Sequence, residues 1–316
     1  MKTIGSVAII GMGALGILYG HLIGRRIGYE NLFFVADAAR VRRFNSVGVT
    51  CNGEKCPFRM MEAKDAPAPD LLIFATKATG LESAIGLAKQ FAGPDTIIIS
   101  LLNGITSEEI ISEKLGGRHV LYTVAQGMDA TKIGPDLKYS HPGTLCVGLP
   151  AGDQERLPDL EMLCELLTRC DVPFERDPDI LHRIWAKWML NVGVNQLCMV
   201  EEGGYAVVQK PGPARDRMIG AMREAMQIAL KSGVAVTEKD LSFYVGLIDT
   251  LAPEGMPSMR QDGLAHRLSE VESFAGTVVK KGHDLGVPVP VNESLYREIR
   301  EREAGYEIEN SRRKDG

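Results

Sequence analysis

No stretch of this 316-residue chain approaches the ~20 consecutive apolar residues that a membrane-spanning helix needs. Basic runs are as scarce: none is longer than Arg312-Arg313-Lys314, and the net charge is −5, which argues against a nucleic-acid surface. That small cluster reads as the solvated end of a polar tail. Cysteine is sparse, at Cys51, Cys56, Cys146, Cys164, Cys170 and Cys198. No pair forms C-x-x-C, and Cys51 and Cys56 have no histidine nearby in sequence to complete a zinc set, so no metal site is expected. The thiols read as free, several of them core filler, in a reducing compartment. The first ten residues carry a lysine and an apolar run, but four strand residues interrupted by glycines are too short for a signal peptide, and a cytoplasmic protein is expected. Internal repeats and low-complexity linkers are lacking too.

What is present begins with Ser6–Gly16, S-V-A-I-I-G-M-G-A-L-G. Val7, Ala8, Ile9 and Ile10 suit a strand buried on both faces of a parallel sheet. Gly11 permits a tight turn, Gly13 lets backbone approach a pyrophosphate, and Gly16 allows close helix packing. A helix from about Ala14 turns free N–H groups and a positive dipole end toward phosphate. A G-x-G-x-x-G that follows a strand and opens a helix predicts a dinucleotide site, with Gly11, Met12, Gly13, Ala14, Leu15 and Gly16 as its turn; a plain glycine-rich turn is the alternative.

Apolar residues make up 45% and charged residues 24%, ordinary for a globular protein, and the length exceeds what one core supports. Strand-like segments at 6–10, 31–35, 71–75, 96–101, 120–124 and 144–148 alternate with helical ones at 14–27, 39–46, 80–91 and 107–115. The pattern is that of a doubly wound α/β sheet. Residues 47–61 read as a short β excursion, and a helix at 154–170 and a strand at 173–175 close the unit. From Asp177 the pattern becomes helical only, at 180–200, 213–232, 237–251, 259–283 and 292–303, with Asp177-Pro178-Asp179 as breaker and cap. The expected domains are 1–176, dinucleotide-binding; 177–306, helical, for substrate and catalysis; and a polar tail at 307–316.

Lys187, Asn191 and Asn195 fall four apart on an otherwise apolar helix and so form one stripe. An ammonium and two amides in line suit a small anionic or hydroxylated molecule. A snorkelling lysine and two asparagines bonded within an interface fit the same spacing. Ser258 followed by Gln261 is a capping-box signature, and a serine at a helix N-terminus also offers its hydroxyl and nearby N–H groups to a carboxylate. Glu270 is expected three turns further along the same helix and Glu272 on another face, with a surface position the default for both. Lys77 and Asn103 directly follow the strands at 71–75 and 96–101, whose carboxyl ends are where open α/β sheets bind ligands.

G-M-G-A-L-G at Gly11–Gly16, A-T-K-A at Ala75–Ala78, L-L-N-G at Leu101–Gly104, W-A-K-W-M-L-N-x-x-x-N at Trp185–Asn195, P-S-M-R-Q-D at Pro257–Asp262 and S-E-V-E at Ser269–Glu272 together resemble the ketopantoate reductase (2-dehydropantoate 2-reductase) family. The resemblance runs in order over nearly the whole chain. It implies an α/β Rossmann-like doubly wound domain followed by an all-α domain like the C-terminal one of 6-phosphogluconate dehydrogenase. It also implies reduction of 2-dehydropantoate to pantoate, for pantothenate synthesis, by NADPH or NADH. By this resemblance Lys187 is the general acid and Glu270 an accessory carboxylate near cofactor and substrate. Asn191, Asn195 and Ser258, with Lys187, bind substrate, while Gly11–Gly16, Lys77 and Asn103, with Glu270, bind cofactor.

Many reductases of the family place an arginine after the second strand, where this chain has Asp37. Its distance past Gly16 matches the ~20 residues expected of a ribose-binding acid, which favours NADH. As an alternative, Asp37 is an exposed helix cap and Arg40, Arg42 or Arg43 meets a 2′-phosphate. A reductase of another small 2-oxo acid, an opine-type dehydrogenase and a non-catalytic nucleotide sensor are the competing functions. The expected partner is a small-molecule 2-oxo acid, with no nucleic acid and no membrane. A homodimer stays open, and the loops at 201–212 and 251–257 match no secure pattern.

Overall fold

A computed structural model describes the backbone of residues 3–314 and the side chains of residues 3–306. Met1, Lys2, Asp315 and Gly316, and the side chains of Arg312-Arg313-Lys314, lie outside the described residues, and with them the reading of that basic cluster. The chain divides into two compact units, Met1–Leu181 and His182–Gly316. No helix among the described residues is long and apolar enough to cross a membrane.

The first unit runs β1 (Val7–Ile10), α1 (Ala14–Ile27), β2 (Leu32–Ala36), α2 (Ala38–Val47), β3 (Thr50–Cys51), β4 (Glu54–Lys55), β5 (Arg59–Glu62), β6 (Leu71–Phe74), α3 (Leu81–Ala88), β7 (Ile97–Ser100) and α4 (Ser107–Leu115). It continues with β8 (Tyr122–Gln126), β9 (Thr131–Ile133), β10 (Asp136–Lys138), β11 (Thr144–Gly148), α5 (Leu157–Arg169) and β12 (Phe174–Arg176). Five strands pair in parallel in the order β5-β2-β1-β6-β7. The order reverses between β1 and β6, the point where doubly wound sheets bind ligands beyond their carboxyl ends. β1, β2, β6 and β7 are buried along their whole length. Alternate residues serve two cores: Val7, Ile9, Phe34 and Ile73 meet Tyr19 of α1 and Leu163 of α5, while Ala8, Ile10, Val35 and Phe74 meet Ile85 of α3 and Ile111 of α4. Each Val, Leu, Ile or Phe among them contributes roughly 2 kcal/mol by leaving water.

The β excursion expected at 47–61 is present as β3, β4 and β5, but β5 joins the main sheet and β3 pairs with β10. The hairpin of β9 and β10 has no counterpart among the expected strands. Together with β3 and β4 it makes a small sheet whose Cys51, Cys56 and Leu137 pack on Ile17 and Leu18 of α1. Cys51, Cys56, Cys146, Cys170 and Cys198 are buried free thiols and Cys164 is half-buried.

The second unit is helical: α6 (Ile180–Val200), α7 (Ala206–Gln209), α8 (Pro213–Lys231), α9 (Glu238–Thr250), α10 (Ser258–Leu264), α11 (Ala275–Leu285) and α12 (Pro290–Lys314). The single helix expected at 259–283 is not one helix. His266 has φ 47°, the N–H of Arg267 bonds to Asp262 O at 3.0 Å, and that of His266 to Gly263 O at 3.1 Å. This is a Schellman stop with histidine where glycine is usual. A 3₁₀ turn at Val271–Ser273 follows before α11 begins. The polar tail expected from residue 307 is helical backbone through Lys314.

Candidate active site

The turn after β1 is shaped by what its glycines leave out. Gly11 sits at φ +111°, and a Cβ there would lie 2.4 Å from Ala75 O. A Cβ on Gly16 would lie 2.0 Å from Gly11 O, so Gly16 makes room for the turn itself. Gly13 is exposed, and its nearest neighbour to an added Cβ is Ala75 O at 3.8 Å, so the backbone here stays open. It is the N-cap of α1, with no side-chain cap and no acidic residue in the first turn. Met12, Ala14 and Leu15 pack against the core, leaving their backbone as what this turn offers a ligand. An uncapped helix start whose amides point outward fits a pyrophosphate.

Lys77 and Asn103 follow the carboxyl ends of β6 and β7, on the edge where Ala75 N bonds Ile10 O at 2.8 Å and Leu101 N bonds Phe74 O at 2.8 Å. Lys77 is exposed and Asn103 half-buried. Thr76, between Gly11 and Lys77, carries a buried hydroxyl with no hydrogen-bond partner among the described residues. Sequence reasoning passed over it, although it stands inside A-T-K-A. An orphaned buried hydroxyl beside an open glycine turn is what a ligand or water would satisfy.

Asp37 directly follows β2 and caps α2: Oδ1 accepts from Arg40 N at 2.9 Å, and Oδ2 from the Arg40 guanidinium at 2.9 Å. The backbone N–H of Arg40, above all, holds its carboxyl below the usual range. The cap of the alternative reading is thus real, and it leaves the carboxylate exposed beyond the strand end.

Behind the Asn103 loop lies a second group that sequence reasoning missed. Ser107 donates to Glu108 Oε2 at 2.7 Å, Ser100 to Ser107 Oγ at 2.9 Å, and Leu102 N to Ser100 Oγ at 3.3 Å. Burial pushes the Glu108 carboxyl up to about 7. In sequence it is one of two acids in a first helical turn, a pattern that reads as solvated.

In the helical unit, α6 carries Lys187, Asn191 and Asn195 one turn apart. Trp185, Trp188, Met189, Val192 and Val194 around them are buried; Lys187 and Asn191 are half-buried and Asn195 buried. Asn195 Nδ2 donates to Asn191 Oδ1 at 3.0 Å, and the Ser258 hydroxyl donates to Asn195 Oδ1 at 3.2 Å. Three of the expected substrate residues therefore form one hydrogen-bonded set. The capping box expected at Ser258 and Gln261 is absent: Pro257 occupies the N-cap, and Gln261 donates instead to Met256 O at 3.0 Å. Freed from capping, the Ser258 hydroxyl turns to α6. The unmatched loops close on each other, Tyr205 N to Gly255 O at 2.9 Å and Ala206 N to Pro253 O at 2.9 Å, just ahead of Ser258.

Glu270 does not lie on the helix of Ser258, because α10 stops at Leu264; it heads the 3₁₀ turn Val271–Ser273. Nor is it at the surface: it is 6% exposed, whereas Glu272 is exposed and accepts from Tyr296 OH at 2.8 Å. Trp188, next to Lys187, donates its indole N–H to Ser273 O at 2.8 Å and so fastens α6 to the Glu270 turn. Among the described residues no three His, Cys, Asp or Glu side chains gather as a metal would need.

Two family models match the chain, Ketopantoate reductase PanE/ApbA over residues 7–149 and Ketopantoate reductase PanE/ApbA C terminal over residues 179–303. A 2-dehydropantoate 2-reductase of Archaeoglobus fulgidus is 30% identical over 312 residues, 95% of this chain and 98% of the relative. A solved PanE/ApbA family ketopantoate reductase from Ralstonia eutropha matches with TM-score 0.81 and 23% identity over 96% of this chain and 99% of that one. D-mandelate dehydrogenase, solved with NADH and anilino(oxo)acetate, matches with TM-score 0.84 and 22% identity, again over 96% and 99%. At those identities the two structures speak for the fold, a Rossmann-like sheet followed by a helical unit. The matched domains and the Archaeoglobus relative together span nearly all of the sequence, and the chain belongs to the ketopantoate reductase family of oxidoreductases.

Proposed function

We propose that this protein reduces 2-dehydropantoate to pantoate with a reduced nicotinamide dinucleotide. The observation that carries the reading is the bonded set Ser258–Asn195–Asn191, one helical turn from Lys187 and flanked by the buried Trp188, Met189, Val192 and Val194. In this reading Gly11–Gly16 and Asn103 hold the cofactor, with Lys77 and Glu270 adding charged contacts. When bound, a reduced nicotinamide supplies the hydride that the ketone carbon receives. Lys187 donates a proton to the carbonyl oxygen as negative charge develops there. Asn191, Asn195 and Ser258 bind the hydroxyl and carboxylate oxygens of the substrate. Glu270 keeps the lysine charged and aimed.

For cofactor choice we read Asp37 as an acceptor for ribose hydroxyls, so that NADH serves at least as well as NADPH. The Arg40 guanidinium bonded to Asp37 supports the opposing reading, in which it meets a 2′-phosphate. Measuring kcat/KM for both cofactors separates the two, and a strong NADPH preference discards the ribose role.

A cofactor-oxidation assay with 2-dehydropantoate, pyruvate, 2-oxoisovalerate and phenylglyoxylate tests the substrate. We expect kcat/KM for 2-dehydropantoate to lead by at least about tenfold, the worth of one well-placed polar contact. A lead for another 2-oxo acid moves the protein to that substrate, and turnover of none rejects the reductase reading.

A further inference from the structure

α12 buries a carboxylate where an apolar side chain would fill the same space with less desolvation. Glu303 is 1% exposed. Its Oε1 accepts the backbone N–H of Ser269 at 2.8 Å and the Ser269 hydroxyl at 2.6 Å, while its Oε2 accepts from Arg300 at 3.0 Å. The Ser269 oxygen in turn accepts the N–H of Val271 at 3.3 Å. The residues immediately before and after Glu270 thus hang, directly or through one hydroxyl, from a single carboxylate. Ser273 N closes the turn on Glu270 O at 2.9 Å.

The far end of the same segment is fastened to α6. Trp188, 1% exposed, donates to Ser273 O at 2.8 Å, and Gln196, fully buried, accepts the N–H of Ala275 at 3.1 Å. The Gln196 amide is itself fixed: its Nε2 donates to Val192 O at 2.6 Å and to Asn292 Oδ1 at 3.2 Å. Asn292 is held by the carboxylate of Glu224 at 2.7 Å. The stretch from Ser269 to Ala275 has no long helix to hold it straight, and its course is set by buried hydrogen bonds from two helices. Trp188 and Gln196 share α6 with Lys187, so the same bonds that steady this stretch tie it to the helix that bears the lysine.

We infer that Glu303 is a positioning residue for Glu270, with Trp188 and Gln196 as its counterparts on α6. Together they fix the backbone from which the Glu270 carboxylate serves Lys187. The inference rests on the proposed role of Glu270. It extends that role to a residue more than thirty positions away whose own chemistry takes no part in the reaction. A displacement of about 1 Å in such a support is enough to cost on the order of 10²-fold in rate without touching a reacting group.

The test is steady-state reduction of 2-dehydropantoate by Glu270→Gln, Glu303→Leu, Glu303→Gln and Ser269→Ala, and by the double variant Glu270→Gln/Glu303→Leu. Melting curves accompany each protein. We expect Glu303→Leu to lose about 10–100-fold in kcat with KM little changed. Glu303→Gln, whose carbonyl oxygen still accepts from Ser269, should recover most of that loss. Ser269→Ala, the milder variant, keeps the backbone bond and should show a smaller fall in kcat with a melting temperature near that of the parent. If Glu303 acts through Glu270, the double variant turns over no more slowly than Glu270→Gln alone, whereas a merely structural role makes the two losses multiply. Wild-type kcat in both Glu303→Leu and Ser269→Ala, or multiplying losses, overturns the inference while an impaired Glu270→Gln leaves the role of Glu270 standing. Wild-type turnover in Glu270→Gln overturns both. Should Glu303→Leu fail to fold, Ser269→Ala and Glu303→Gln decide between the two outcomes on the same readouts.

Discussion

Replacing Glu108 by glutamine separates the cost of burying a charge from everything else this side chain does. Glutamine keeps a carbonyl oxygen to accept from Ser107, so the chain Ser100–Ser107–108 survives. Burial lifts the Glu108 carboxyl from its ordinary 4.5 to about 7; the Ser107 hydroxyl and the backbone N–H groups of Glu108 and Thr123 pull it back in part, and the charge of Glu109 adds to the rise. A carboxyl raised on folding binds its proton more tightly in the folded state. Its contribution to stability is therefore fully present below about pH 4.5 and falls as pH rises through the window from 4.5 to 7. Above that window about 3 kcal/mol has gone, at ~1.4 kcal/mol for each tenfold change in proton affinity. In a domain of this size each kcal/mol moves Tm by about 2–4 °C. Wild-type Tm should thus drop by roughly 6–12 °C relative to Glu108→Gln between pH 4.5 and 8. Calorimetric or fluorescence melts of both proteins across that range give the comparison. Parallel curves, with a constant offset, would refute the claim that Glu108 ionises against its surroundings.

Lys187→Ala should keep its fold and cofactor binding, seen by circular dichroism and cofactor titration, and lose on the order of 10²–10⁴-fold in kcat, the worth of a positioned acid. Near-wild-type turnover removes Lys187 from the mechanism. Asp37→Ala should cost about 1 kcal/mol through loss of the α2 cap and shift the kcat/KM ratio toward NADPH; an unchanged ratio discards Asp37 as a ribose acceptor. Tyr19→Phe removes a buried hydroxyl with no partner among the described residues, whose phenol burial pushes strongly up. A Tm gain worth about 1 kcal/mol is expected, and a loss would mean that the hydroxyl is bonded in solution.

Those parts of the fold were legible whose cause is local. β1, β2, β6 and β7 are apolar on both faces, and a strand so composed can only sit inside a covered sheet. Gly11 and Gly16 mark a turn that no side chain fits, which any reading of the motif would find. α6 shows its full length because apolar residues surround the polar stripe without a breaker. The hairpin of β9 and β10 did not show. Ile133 is 74% exposed, and each strand is three residues long, so the alternation about Lys132 and Leu137 spans too few residues to be read as a strand. The end of α10 did not show either, because its left-handed residue is His266 and the usual glycine signal is missing.

The candidate site divides along the same line, between residues that announce themselves by type and residues that matter by where the chain buries them. A lysine and two asparagines on an apolar helix stand out in the sequence, since their neighbours leave no solvated face to explain them. Of the two accounts that the sequence offers for Ser258, the capping one does not hold, because the proline before it takes the N-cap and releases the hydroxyl to Asn195. Glu108, Glu270 and Glu303 look alike in a sequence, three glutamates in helix-forming company. Folding gives each a different environment: a hydroxyl relay behind the Asn103 loop, the head of a 3₁₀ turn tied to α6, and a buried acceptor for Ser269. What distinguishes Glu108 and Glu303 is which backbone N–H groups and hydroxyls converge on the carboxylate. That convergence is a property of loops meeting helices far along the chain, and side-chain periodicity carries no record of it.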